Sequence, residues 1–464
     1  MAPADYIWHD CRPIREADPA RLRELASWQF PEEAVLSLGR AGSGRTRPLE
    51  SLVACGPDGQ TWWSGRYIGH VQHAGMSIDI RPRVGRNVLL EWLGMPPDRL
   101  RISKDDKGQT DSQTFVVVLI ALLWRDSFDR AARFGALPSV VRVEKGHGSV
   151  LRGRLDVRGT VRRWQAGWDD LAFTHREKER DTPFARAAVR AFDVLEHHLP
   201  SLLDLLPPHL QETLQKFQAV VGRRPALPTC QEIDRTRVSP MTIDYRPFGR
   251  FCLDVVNRLG QLSGPEESEQ SWTLLVDVAE LWEHHVERAL VEALPDARVV
   301  SGNRAARDAH LLVNSAGRRR AALVPDFLVL EPGTDRVLSV VDAKYKPHDG
   351  PYPSNAREDL YQLTAYLDHF GSNQEPLTGL LAYPALDTVD EQTSKIENSL
   401  DGVWSMQSGK RIAFGRIGLT REVAGPDMAR VFSGLGLATR PAVGPAPSSA
   451  TARGRVNENV CTNT

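Results

Sequence analysis

Val324-Pro-Asp-Phe-Leu-Val-Leu330, then Glu331-Pro-Gly-Thr-Asp335, then Leu338-Ser-Val-Val-Asp-Ala-Lys-Tyr-Lys346: this stretch decides the fold of the carboxy-terminal part of the chain. Phe327 to Leu330 and Val337 to Val341 are short apolar runs. The Pro-Gly segment between them is a strong turn signal, so the two runs predict a β-hairpin. Side chains alternate along a strand, which puts Asp342 and Lys344 on one face and turns Ala343 to the other. Asp326 opens the first strand. The pattern therefore predicts two carboxylates and one ammonium converging at the end of a small sheet.

Phosphodiester hydrolysis needs an activated water and a counter-charge for the transition state. A Mg²⁺ ion on hard oxygen ligands provides both, with Mn²⁺ as a substitute. Asp326, Asp342 and the Ala343 carbonyl are the candidate metal ligands. Lys344 is placed to orient or deprotonate the water and to neutralise phosphate charge. Two carboxylates about 4 Å apart repel by roughly 4 kcal/mol at an effective dielectric of about 20, so the pair calls for a cation, a proton or solvent. An isolated Asp-x-Lys on a strand is ordinarily a surface ion pair. Here it has company on both sides.

Downstream, Asn355 to Phe370 carries apolar residues at 360, 363, 366, 367 and 370, a helical period. Asn355 with Glu358 three residues on forms a capping-box pattern. Gln362 and Tyr366, four apart, share a face; Gln362 is assigned to the site, and Tyr366 reads equally well as core. Upstream, a helix is expected near Trp272 to Leu294, with Glu280, Glu283 and Glu287 along one flank of its apolar stripe. Spacing alone does not single out one of these glutamates.

At 464 residues the chain is long enough for two or three domains, and its 41% hydrophobic and 25% charged content is that of a globular protein. The expected architecture is α/β. Residues 1–100 form a β-rich amino-terminal domain and candidate partner-binding unit. Residues 101–265 are mainly helical, 266–438 hold the metal constellation, and 439–464 form a disordered tail rich in Pro, Ala, Gly, Ser and Thr. Within the first region, Trp62 to Ile80 alternates around Ala74-Gly75. Met76, Ile78 and Ile80 take one face, and Arg66, Arg81 and Arg83 make the polar side basic, which reads first as a solvated face and second as a partner surface. Within the second, helices are expected over Gln113–Phe134, Phe184–His198 and Pro247–Leu262, and Arg162, Arg163 and Trp164 read as a surface loop.

A net charge of −1 gives no global basic field, so contact with DNA requires a local surface or another subunit. Five scattered cysteines without a Cys-x-x-Cys pair suggest neither zinc nor disulfides and fit a reducing cytoplasm. The longest apolar run, Phe115 to Trp124, is well short of the roughly 20 residues that span a bilayer and reads as a buried helix. The histidine pairs at 197–198 and 284–285 read as packing or surface residues. No Gly-x-x-x-x-Gly-Lys-Ser/Thr occurs, so nucleotide hydrolysis belongs to another chain.

The metal motif and its flanking helices resemble the PD-(D/E)xK nuclease superfamily, and more closely its McrC family, the nuclease subunits of modification-dependent restriction systems. Asp277-Val-Ala-Glu-Leu-Trp-Glu283 resembles that family's helix, and the resemblance selects Glu283 as a further acidic residue and metal ligand. Val324-Pro-Asp326 and Val341-Asp-Ala-Lys-Tyr-Lys346 resemble its metal strands, and Asp359 to Tyr366 the helix that follows. Gly65-Arg-Tyr-Ile-Gly69, Ile78-Asp-Ile-Arg-Pro82, Gly153-Arg-Leu-Asp156 and Asp181-Thr-Pro183 extend the likeness over most of residues 60 to 420. The chain departs from the family at Phe184-Ala-Arg186, where an Asn-Arg pair is usual, and at Trp282, where Phe is usual. The resemblance implies a restriction-endonuclease-like core and Mg²⁺-dependent cutting of DNA that contains 5-methylcytosine. It also implies a McrB-like AAA+ partner whose GTP hydrolysis this chain stimulates. Two alternatives stand beside it: a non-cutting activator of the AAA+ partner, and a stand-alone RecB-like nuclease.

Overall fold

The hairpin expected around Pro332-Gly333 is present in the computed structural model, which describes residues 5–30, 35–36, 49–56, 58–94, 112–261, 273–302, 309–345, 356–371, 377–386 and 402–437. Phe327–Leu330 pairs antiparallel with Val337–Ala343, Phe327 opposite Val341, with a bulge between Val329 and Leu330. These strands lie in a six-stranded mixed sheet. Its order is Arg298–Ser301, Phe327–Leu330, Val337–Ala343, Thr378–Pro384, Arg411–Ile417, Gly402–Ser405. The helix Ala356–Phe370 connects the parallel neighbours Val337–Ala343 and Thr378–Pro384, the crossover that a parallel pair requires.

Alternation sorts the sheet into two apolar faces. Leu328, Leu330, Val340, Leu381 and Tyr383 pack with Leu363, Tyr366 and Leu367 of the crossover helix. Phe327, Val329, Val341, Ala343, Leu380 and Ala382 face the other way, against the helices Val278–Ala293 and Arg421–Gly434. Asp342, between Val341 and Ala343, is thereby directed to the crossover-helix side.

The helix expected from Trp272 begins later. Thr273–Asp277 is a strand, and Asp277 then caps the helix Val278–Ala293 by accepting from the Ala279 N–H at 2.9 Å. A Thr-Leu-Leu-Val run satisfies strand and helix patterns alike, and the capping aspartate sets the switch. The strand is drawn into a five-stranded sheet otherwise built from the amino-terminal region. It lies antiparallel to Tyr67–His73, which in turn pairs with Met76–Arg81 across a tight turn at Ala74-Gly75. The backbones meet closely. Gly69 has φ +137°, and a Cβ there would lie 2.1 Å from the Leu274 carbonyl oxygen, so only glycine fits.

Met76, Ile78 and Ile80 are buried as expected. The polar face is not the solvated one expected. Arg66 donates to Asp277 at 2.9 Å and to Glu50 at 2.6 Å, and the Arg83 side chain is 1% exposed. The carboxylates that enclose these arginines come from distant sequence, which a local period cannot report.

The middle region carries the three expected helices as Ser112–Ala132, Pro183–His198 and Tyr245–Gln261. A three-stranded sheet of Val140–Gly148, Leu171–Glu179 and Arg154–Leu155 stands beside them. Arg162, Arg163 and Trp164 lie on the surface, as read, but in the helix Val157–Gln165, which Asp156 caps through the Gly159 N–H. Phe115 to Trp124 is buried throughout, and among the described residues no helix is long and apolar enough to cross a membrane. His285 is buried and stacked 5.3 Å from Trp92. Asn355 and residues 438–464, which include the whole of the expected tail, lie outside the described residues.

Candidate metal centre

Asp326 and Asp342 end up side by side because their strands are neighbours in register; they are 5% and 2% exposed. Asp326 accepts the Ala343 N–H at 2.8 Å, so its carboxylate bridges to the backbone of the neighbouring strand. Asp342 Oδ2 lies 2.6 Å from Lys344 Nζ, a buried ion pair. Burial first, then the Asp326 charge and a hydrogen bond to Asp326, raise the Asp342 pKa to about 7, with Lys344 pulling against them. A proton thus competes for the site near neutral pH.

Lys344 is fixed from several sides. Its ammonium donates to Gln362 Oε1 at 2.9 Å and sits 3.5 Å from Asp359. Burial works to neutralise it, but Asp342, Asp359 and Asp326 outweigh burial and hold its pKa above the ordinary lysine value. Gln362 Nε2 donates to Tyr366 Oη at 2.7 Å, and that hydroxyl donates to the Val324 carbonyl at 3.0 Å. One helix face therefore ties the lysine to the strand that begins at Asp326. Tyr366 serves both of its readings, being buried core and a hydrogen-bond relay.

Sequence reasoning missed Asp359, which is 3% exposed and accepts from Tyr383 Oη at 3.4 Å. The signal was available: Asp359, Gln362 and Tyr366 are spaced three and four apart, one stripe of the helix. Glu283 is buried at 5% on the helix Val278–Ala293, which covers the opposite face of the sheet from Asp342. Its neighbour Trp282 donates to the Ala382 carbonyl at 3.1 Å, on the strand beside Ala343. The structure thus joins Asp326, Asp342, Ala343, Lys344 and Gln362 directly, and Glu283 is buried on a helix packed against the same sheet.

The donor set fits a hard divalent cation. Two buried carboxylates side by side, one with its pKa raised by burial and by the charge of the other, form an anionic pocket suited to a hard oxygen-seeking cation. Elsewhere, Glu144, His175 and Glu177 bring ligand atoms within 4.8 Å of one another, with both glutamates exposed on the sheet of the middle region.

Residues 64–384 match the family described as McrBC 5-methylcytosine restriction system component. No curated protein matches the chain. Among solved structures, the chain is similar to one in a refined half-complex from the tetradecameric assembly of Thermococcus gammatolerans McrB AAA+ hexamers with bound McrC. That likeness has 13% identity and a TM-score of 0.40, and covers 92% of this chain and 99% of that one. A chain of the cryo-EM structure of the Thermococcus gammatolerans McrBC complex is similar at 12% identity and a TM-score of 0.31, over 62% of this chain and 87% of that one.

Proposed function

The chain belongs to the McrBC 5-methylcytosine restriction system component family, and from that premise we propose that it is the metal-dependent endonuclease subunit of such a system. Its substrate is DNA containing methylated cytosine, and its partner is a McrB-like AAA+ GTPase whose GTP turnover it stimulates. The observation that carries the nuclease reading is the buried assembly of Asp326, Asp342 and Lys344 held by Gln362.

In this reading Asp326, Asp342 and the Ala343 carbonyl hold Mg²⁺, or Mn²⁺ in its place, and Glu283 is the additional acidic group. The ion, when bound, supplies an activated water and positive charge at the scissile phosphate. Lys344, kept charged by its carboxylates, donates to the phosphate or to the attacking water and neutralises developing charge, rather than removing a proton. Gln362 and Asp359 fix the direction of that ammonium, and Tyr366 fixes Gln362. Orientation of this kind limits the reorganisation left to the reaction itself.

The test is cleavage of methylated and unmethylated plasmid with Mg²⁺, adding GTP and a McrB-type partner singly and together, for wild type, Lys344→Ala and Glu283→Gln. Cutting that requires methylation, GTP and partner, and is lost in Lys344→Ala, is the expected result. Faster GTP turnover without cutting would make the chain an activator alone. Cutting without any partner would make it a stand-alone nuclease. Full activity in Glu283→Gln would remove that residue from the site.

A further inference from the structure

Lys344 and Tyr345 lie just beyond the last ladder pair of their strand, Ala343 opposite Ala382. The sheet retains one hold on them, the Lys344 N–H to the Ala382 carbonyl at 2.8 Å. Groups of the amino-terminal part of the chain hold Tyr345 on its ring, hydroxyl and carbonyl. Its ring lies 4.4 Å beneath the Arg83 guanidinium, Arg83 Nε donates to its hydroxyl at 3.3 Å, and Trp92 meets the ring edge-on at 6.2 Å. Cys11 Sγ donates to its carbonyl at 4.0 Å. Tyr345 is 3% exposed.

Arg83 is itself fixed by Asp10. Its backbone N–H donates to Asp10 Oδ1 at 2.5 Å, and its Nε lies 3.9 Å from Asp10 Oδ2, with both side chains fully enclosed. As a source of stability this pair is poorly built. Arg83 Nη2 and Asp10 Oδ2 are buried without a hydrogen-bond partner among the described residues, and apolar residues of similar volume commonly fill such a place at no loss. An arginine does give direction, because its planar fork meets the tyrosine face and hydroxyl in one orientation only. The same region reaches the site from the other side, through Trp92 tilted against Trp282 at 5.3 Å and Trp282 bonded to the Ala382 carbonyl that also receives Lys344 N–H.

We propose that Arg83, seated by Asp10, is a positioning residue for Lys344, acting through the ring and hydroxyl of Tyr345. The inference rests on the nuclease reading above for its consequence and on the packing alone for its geometry. The amino-terminal lobe then does more than attach the chain to other components. It sets the aim of the ammonium that faces the phosphate, and a shift of the Pro82-Arg83 segment is felt one residue from Lys344.

The experiment uses the full chain as wild type, Arg83→Lys and Tyr345→Leu. Lysine accessibility is read by brief acetic anhydride labelling and mass spectrometry without metal or DNA, followed by cutting kinetics and GTPase stimulation with a McrB-type partner. We expect Lys344 labelling to rise while Lys145 and Lys178 stay as in wild type. The expected kinetic signature is a kcat for cutting that falls about tenfold to a hundredfold, the scale of an ångström-sized misplacement, with KM for DNA and GTPase stimulation unchanged. Wild-type labelling of Lys344 and wild-type kcat in both variants would overturn the proposal. So would a general rise in labelling with a lowered Tm, which would reduce Arg83 to a packing role. Raised Lys344 labelling in a chain whose wild type cuts no DNA would uphold the positioning and reject the nuclease reading.

Discussion

Asp342 is buried against the charge of Asp326 at the candidate metal centre, and its behaviour is correspondingly testable. Asp342→Asn keeps the shape and removes the ligand charge. Cutting is expected to fall by at least about 10²-fold, the loss typical of removing a preorganised charge-stabilising group, with the melting temperature showing an intact fold. On the proposed assignment, protonation of Asp342, whose pKa is raised to about 7, would displace a cation as pH falls. The apparent Mn²⁺ affinity, measured by calorimetry without DNA, should weaken about tenfold per pH unit below about 7 and level off above it. A flat profile from pH 5.5 to 8 would contradict the assignment of Asp342 as a ligand. The trio Asp326, Asp342 and Lys344 was legible because strand alternation is a two-residue rule acting within one hairpin. Asp359 was passed over since an acidic residue in a first helical turn reads equally well as a favourable dipole partner.

Among the elements, the helix Val278–Ala293 is the most consequential, because it joins two sheets. It starts where Asp277 ends a strand of the amino-terminal sheet, and its far side holds the six-stranded sheet through Trp282 and His285. His285 is 4% exposed and lies 2.9 Å from the Gly418 carbonyl; burial lowers its pKa to about 4, against the pull of that carbonyl. A histidine whose folded pKa is depressed stabilises fully above its unfolded value of about 6.5 and loses that contribution as pH falls from there through about 4. The contribution is on the order of 3 to 4 kcal/mol at most, at about 1.4 kcal/mol per pKa unit. Asp342, with its folded pKa raised to about 7, works in the opposite sense over the same range, so the His285 share is read by difference. In urea unfolding at pH 7.5 and 5, His285→Gln, which retains a donor for Gly418, should lose less stability toward acid than wild type. An unchanged slope would mean that another group governs acid unfolding. Histidine burial of this kind gave no local signal, since neighbours at Trp92 and Gly418 are remote in sequence.

For the whole molecule, residues from all three regions read from the sequence share a packed interior. One apolar core runs from Ile68 and Leu89 through the middle helices to Ala382 and Phe432. Residues 266–464 expressed alone lose the pairing of Thr273–Asp277 with Tyr67–His73, the Arg66–Asp277 ion pair and the packing of Tyr345 on Arg83. That fragment should show weak near-ultraviolet dichroism and bind a hydrophobic dye, whereas the intact chain should not. A fragment that folds cooperatively would show that the shared core is dispensable. The α/β class and most helices were legible, because local period and capping fix them. The linkage between regions was not, since pairings of Gly69 with Leu275 or of Asp10 with Arg83 obey no spacing rule within a readable window.

The borrowed strand has a consequence for how the chain is made. Tyr67–His73 leaves the ribosome with one long edge bare, and the strand that covers it is encoded roughly 200 residues later. At a synthesis rate of about 5–20 residues per second, that edge waits about 10–40 s for its partner. Over that interval the nascent amino-terminal sheet offers an open template to any other extended chain. Yield in a heterologous host should therefore depend on chaperone supply and translation speed more than on the stability of the finished protein.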